Sequence, residues 1–262
     1  MHEAGYRTTR NAIGDNLLAT GFAADVFRLN KGFIVQRNAK GAKVAYAAML
    51  KTSQYIRHSL ESGESVWIAQ REGRAKDGWD RTDPAIIKMF ALAYRKEVED
   101  MGGVIARLGV LPVAISYELD PCDLMKAREL ETIARTGRYE KRAGEDLESV
   151  VTGIRGDKGR VQLHFGTPLT GAFDDASGVA AAIDRQIVAG YRLFPTHLWA
   201  AAESGMEGLP PHEPSRALAV LKARVDGADR ALRPHLLLQY ANPVRRAREL
   251  GLIVAPDSSA RT

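Results

Sequence analysis

Short apolar runs alternate with amphipathic stretches along most of this chain, and that alternation limits its fold more than any other feature. Gly32-Phe33-Ile34-Val35, Ser65-Val66-Trp67-Ile68-Ala69, the run from Val110 to Tyr117 and the run from Val161 to Phe165 are strand-length, rich in β-branched and aromatic residues. Between the first two, Val44 to His58 carries Tyr46, Leu50, Tyr55 and Ile56 at near-helical spacing. Asp83-Pro84 reads as the cap and first residue of a helix reaching about Asp100. Pro112 sets its run near a sheet edge or a strand start, and Gly166-Thr167-Pro168 stops the last one. From Gly178 the pattern turns helical, with a break near Pro195 and a Gly/Pro-rich joint from Gly205 to Pro214. Asn242-Pro243 then predicts the cap and first residue of a final helix, with Gly251 just past its end. The expectation is an α/β domain over residues 1–204, a mixed sheet flanked by helices, followed by a basic helical C-terminal extension over 205–262.

The 262 residues can bury a core without staples. Apolar residues make up 45% and charged residues 26%, a globular balance. No uncharged stretch approaches the roughly 20 apolar residues of a membrane-spanning helix, and the start shows no secretory pattern. The single cysteine, Cys122, excludes an internal disulfide framework and a cysteine-only zinc site, and fits a reducing cytoplasm. No metal-ligand spacing, Gly-x-Ser-x-Gly elbow or Gly-x4-Gly-Lys-Ser/Thr loop is present, so neither a metal nor a resident cofactor is expected. His164 on an alternating strand reads as structural, and Cys122 as buried or incidental.

Most of the positive excess sits late in the chain. From Leu209 to the end there are 9 Lys+Arg against 5 Asp+Glu, including Arg216, Arg224, Arg230, Arg233, Arg245, Arg246 and Arg248. Such a patch suits an anionic membrane surface, an acidic partner or nucleic acid, or is simply a solvated helical face. No recognised DNA or RNA motif accompanies it, and nucleic acid is not expected as a partner.

The densest chemistry lies in Trp67-Ile68-Ala69-Gln70-Arg71-Glu72-Gly73-Arg74-Ala75-Lys76, where a strand delivers three cations within six residues around a glycine. Guanidinium and ammonium groups at such a turn suit a phosphate ester. Arg37 follows the strand Gly32 to Val35 in the same manner.

These residues, in order, resemble the glycerolphosphate and lysophosphatidate acyltransferases. Gly14-Asp15-Asn16-Leu17 with Lys31 to Arg37 is similar to that family's second block in its bacterial glycerol-3-phosphate version. Tyr55-Ile56-Arg57 with Ser65 to Gly78 resembles the third block, Leu111 to Ile115 the fourth, and Arg160 to Leu169 the closing strand and Gly-x-Pro turn. The resemblance implies that Arg37 and Arg74 hold an acceptor phosphate with Lys76 assisting. Gly14, Asp15, Asn16, Arg71, Glu72 and Gly73 would support that site, and Pro112 would shape its floor. It also implies a cytoplasmic enzyme of phospholipid biosynthesis, peripheral on the membrane's inner face. Such an enzyme transfers a fatty acyl group from acyl-CoA or acyl carrier protein to glycerol-3-phosphate or a lysophospholipid. The third block departs from the family: aligned on Arg74, the expected Glu-Gly falls on Arg71-Glu72, and aligned on Glu72-Gly73 the Arg comes one residue early.

A larger departure concerns the catalytic His-x-x-x-x-Asp, whose His takes the acceptor's proton. Five residues after His2, His58, His164, His197, His212 and His235 stand Arg7, Gly63, Leu169, Ala202, Ala217 and Tyr240. None is Asp. The resemblance sets that block upstream of Met1, so the expectation is an acyltransferase lacking its N-terminal part. The alternatives are a noncatalytic relative that binds lipid or acyl carrier protein and, more distantly, a basic nucleic-acid-binding protein.

Overall fold

Parallel pairing organises the N-terminal region of the computed structural model, which describes residues 5, 7–14, 25, 28–36, 41–71 and 75–252. Strands β1 (Arg10–Gly14), β2 (Gly32–Val35) and β3 (Val66–Trp67) form a sheet in the order β2-β1-β3. Ala12 stands opposite Phe33, Gly14 opposite Val35, and Asn11 opposite both Gly32 and Trp67. Parallel strands need a crossover connection, and helix α1 (Ala42–Glu61) lies in the one that leads from β2, on one side of β1, to β3 on the other. Its inner face, Ala48, Thr52, Ser53, Ile56 and Ser59, is small and partly polar. Ser59 Oγ takes a hydrogen bond from Arg10 at 3.0 Å, and the Phe33 and Tyr55 rings meet at 4.8 Å.

The helix expected from Pro84 to Asp100 is two helices, α2 (Pro84–Ala91) and α3 (Met101–Leu108). The start is as the sequence implies: Asp83 caps it, accepting from the Ala85 amide at 2.8 Å. The break comes from α1. Ser53 Oγ donates to the Phe90 carbonyl and accepts from the Ala93 amide, while Arg57 donates to the Ala93 carbonyl. Those are backbone groups a continuing helix would use for itself. Asp100 then caps α3 through the Gly103 amide at 2.7 Å.

Strands β4 (Val113–Tyr117) and β5 (Val161–Phe165) pair antiparallel, with Ile115 opposite Leu163. One face of this ribbon is covered along β4, where Ala114 and Ser116 are buried: the His164 ring lies against Gly190, whose missing Cβ makes room, and Ser116 Oγ accepts from the Arg192 amide. The other face, with Ile115, Val161, Leu163 and Phe165, is exposed. In place of one mixed sheet flanked on both sides, the described residues form a small parallel sheet and a separate antiparallel pair.

Helices α4 (Asp123–Thr136), α5 (Glu145–Arg155), α6 (Ala176–Ala189), α7 (Pro195–Glu203), α8 (Arg216–Gly227) and α9 (Arg233–Glu249) complete the described elements. Residues from β4's exit, α4, α7, α8 and α9 share one core, including Leu119, Ala127, Leu198, Leu221, Leu236, Tyr240 and Val244. A boundary at 204/205 would cut through it. The chain instead divides into a unit of Met1–Gly73, Arg81–Leu111 and Pro168–Ile183, and a unit of Arg74–Asp80, Pro112–Thr167 and Asp184–Thr262.

Asn242-Pro243 does not begin the last helix. Both lie inside α9, which opens with Pro234 in its first turn and ends as expected at Gly251, φ 69°. The segment 77–78 packs against this break in the helix. Asn242 Nδ2 donates to the Asp77 carbonyl at 2.7 Å, and the Gln239 carbonyl, which Pro243 has no N–H to meet, faces Gly78.

Candidate functional site

Because β1, β2 and β3 are parallel, their carboxyl ends share one edge of the sheet, where open α/β sheets bind ligands. Gly14 closes β1 and is buried, Val35 closes β2, and Trp67 closes β3. Beyond Trp67 the exit is tied down: the Gln70 carbonyl accepts from the Asp83 amide at 2.8 Å, and its side-chain oxygen accepts from Thr82 at 3.2 Å. Arg71 follows, exposed. Asp15, Asn16, Arg37, Glu72, Gly73 and Arg74 lie outside the described residues.

Lys76 belongs to the second unit, and its ammonium forms an ion pair with Glu129 of α4. A phosphate at Lys76 would compete with that carboxylate. The turn around it is held from several directions. Asp77 accepts from the Trp79 amide at 3.1 Å, Asn242 holds the Asp77 carbonyl, and the Arg246 guanidinium stacks 5.5 Å from the Trp79 ring centre. Asp80 accepts from Tyr191 Oη at 2.5 Å, and burial together with that carboxylate pushes the phenol well above its ordinary range. Pro112 is buried at the start of β4, its carbonyl accepting from the Gly166 amide at 2.9 Å.

Two of the late arginines are paired with buried carboxylates, and most of the others bind carbonyls or a carboxylate at the surface. Arg224 pairs with Asp123 at 2.7 Å and Arg246 with Asp184 at 3.2 Å, both carboxylates being buried. Arg233 donates to the Asp226 and Ala228 carbonyls at the end of α8, and Arg248 donates to the Glu207 and Gly208 carbonyls after α7. Cations at helix carboxyl ends satisfy orphan carbonyls and complement the helix dipole. Arg216 pairs with Asp157 at 3.0 Å, and Arg230 is exposed.

Two buried carboxylates after β4 escaped sequence reasoning. Glu118 receives both Arg160 Nε and Nη2, at 3.0 and 2.9 Å, plus the Arg160 amide and Ser215. The Arg160 guanidinium holds its carboxyl below the ordinary range. Asp123 accepts from Tyr240 Oη at 2.6 Å, from Arg224 and from the Leu124 amide. Both are satisfied, structural anions. The signal was available: a strand running straight into Glu118-Leu119-Asp120-Pro121-Cys122-Asp123 carries acids where the chain is still buried.

No described histidine carries the geometry of a base held by a carboxylate. His197 is buried between Phe194 and Tyr240, its Nδ1 accepting from the Phe194 amide at 3.0 Å. Burial lowers its pKa to about 4, so the ring is neutral. Cys122 is buried, its thiol 3.4 Å from the Ser149 carbonyl. Among the described residues there is no cluster of three or more His, Cys, Asp or Glu able to hold a metal ion, and no helix long and apolar enough to cross a membrane. Searches of protein-family models, curated proteins and solved structures return no match to this chain.

Proposed function

We propose that this chain carries the acceptor-phosphate site of an acyltransferase of phospholipid biosynthesis, with glycerol-3-phosphate or a lysophospholipid as the ligand. The observation that supports this most is the common direction of β1, β2 and β3. The chain leaves one sheet edge three times, toward Asp15-Asn16, toward Arg37 and toward Arg71 to Arg74. Guanidinium groups suit a phosphate monoester through bidentate, charge-assisted hydrogen bonds. Fixing the phosphate would orient the acceptor's hydroxyl. In the transfer that hydroxyl attacks the carbonyl of an acyl thioester on CoA or acyl carrier protein, its proton passes to a base, and the thiol leaves. The family's His-x4-Asp base is not among these 262 residues, so binding is the part assigned to this chain.

A second reading, a noncatalytic acyltransferase-like binding protein, is favoured by that same histidine count together with the buried, neutral state of His197. Calorimetric titration with glycerol-3-phosphate, and with glycerol as the control, tests what both readings share. Saturable binding of the phosphate ester alone is expected. Absence of binding, or equal binding of glycerol, would contradict both. Neither reading expects acyl transfer from acyl-CoA by the chain alone, and turnover would exclude the noncatalytic one.

A further inference from the structure

Helix α5 is built inside out. Its inward face is small and polar: Glu145 is buried, the Ser149 carbonyl meets Cys122 Sγ, and Gly153 and Gly156 lie against Cys122 and Pro121. Its apolar residues face outward, with Leu147 49%, Val150 38%, Val151 41% and Ile154 73% exposed. The stripe has i, i+3, i+4, i+7 spacing, the pattern a helix normally buries. Covering it takes apolar surface out of water.

We infer that this stripe is a dimer interface, in which α5 packs antiparallel against α5 of a second copy of the chain about a two-fold axis. The spacing reads the same in both directions, as an isologous contact requires. With the axis midway between Val150 and Val151, Leu147 meets Ile154 of the second copy and Val150 meets its Val151. The charges fit the same operation. Glu148 and Arg155 are two helical turns apart on one flank of the stripe, and both are exposed. Antiparallel packing brings Glu148 of each copy beside Arg155 of the other. Glu148 already pairs with Arg142 at 3.2 Å in its own chain and keeps a half-exposed carboxylate for this contact. An anionic lipid surface would select a uniformly basic border, whereas α5 carries Glu145, Asp146 and Glu148 in its first turn and Arg155 in its last.

Analytical ultracentrifugation of the full chain, from low micromolar to submillimolar concentration, tests the inference. A reversible monomer–dimer equilibrium is expected. Val150→Glu and Ile154→Glu, at exposed positions, should each weaken dimerisation at least about tenfold without lowering the thermal midpoint. Arg155→Glu should weaken it several-fold, and adding Glu148→Arg should restore part of that loss. A monomer at every concentration would overturn the inference, as would a dimer indifferent to these substitutions. Sedimentation of a monomeric chain with phosphatidylglycerol vesicles, abolished by Val150→Glu, would overturn it in favour of a lipid surface.

Discussion

Gly78 lies directly against the main-chain carbonyl of Gln239, in the gap that Pro243 opens in the hydrogen bonding of α9. A Cβ at this position would overlap the carbonyl oxygen, and φ of +75° is itself unfavourable for other residues. Gly78→Ala should therefore lower unfolding free energy by roughly 2–3 kcal/mol, read as a reduced urea midpoint. Pro243→Ala lets α9 donate an N–H to that carbonyl and should not rescue the variant, because the overlap remains.

Arg246 and Asp184 are both buried and paired at 3.2 Å, so removing the cation takes a charge-assisted contact from a buried carboxylate. Arg246→Met should cost about 2 kcal/mol in urea unfolding. Arg245→Ala, which gives up one long contact to the Ser204 carbonyl at 3.5 Å, should change stability by less than about 0.5 kcal/mol. Equal effects from the two would show that the late arginines act as a surface patch rather than as parts of the fold.

His197 gives the protein a defined acid sensitivity. Burial lowers its folded-state pKa from the ordinary 6.5 to about 4, so between those values the unfolded chain binds the extra proton. Stability is fully present above pH 6.5 and falls as pH drops toward 4, by on the order of 3 kcal/mol. Glu118, whose carboxyl is held low by Arg160, adds a further loss below its ordinary 4.5. Urea unfolding from pH 7.5 to 4.5 should show this slope in the native protein. It should be flattened in His197→Asn, whose side-chain oxygen can take the Phe194 amide but does not titrate in this range.

The parts legible in the sequence were those set by local signals. Gly32 to Val35 and Val161 to Phe165 are strands with the expected limits, because apolar β-branched runs ended by glycine or charge need no tertiary information. Asp83-Pro84 begins a helix for the same reason. What failed was decided at a distance. Ser53 and Arg57 of α1 take the backbone groups that would have prolonged α2. Asn242-Pro243 looks like a helix start until Asp77 and Gly78 pack against it. Arg224, Arg246 and Arg248 look like parts of a charged surface because their partners, Asp123, Asp184 and the carbonyls after α7, lie about 40 to 100 residues away in the chain. Of the candidate phosphate site, the strands before Arg37 and Arg71 were legible, whereas β1 before Asp15 was not, because Arg10-Asn11-Ala12-Ile13-Gly14 carries a single β-branched residue. The Glu129 carboxylate beside Lys76 was not, since 53 residues separate them.

The most direct test of the phosphate site is the dissociation constant for glycerol-3-phosphate in Arg37→Ala and Arg74→Ala, beside Arg230→Ala as an exposed control. Each of the first two should bind at least about tenfold more weakly, the loss of one charge-assisted anchor, while the control binds as the native chain does. Lys76→Ala should have a smaller effect, because its ammonium is shared with Glu129. Native affinity in both Arg37→Ala and Arg74→Ala would contradict the site and, with it, the acyltransferase reading.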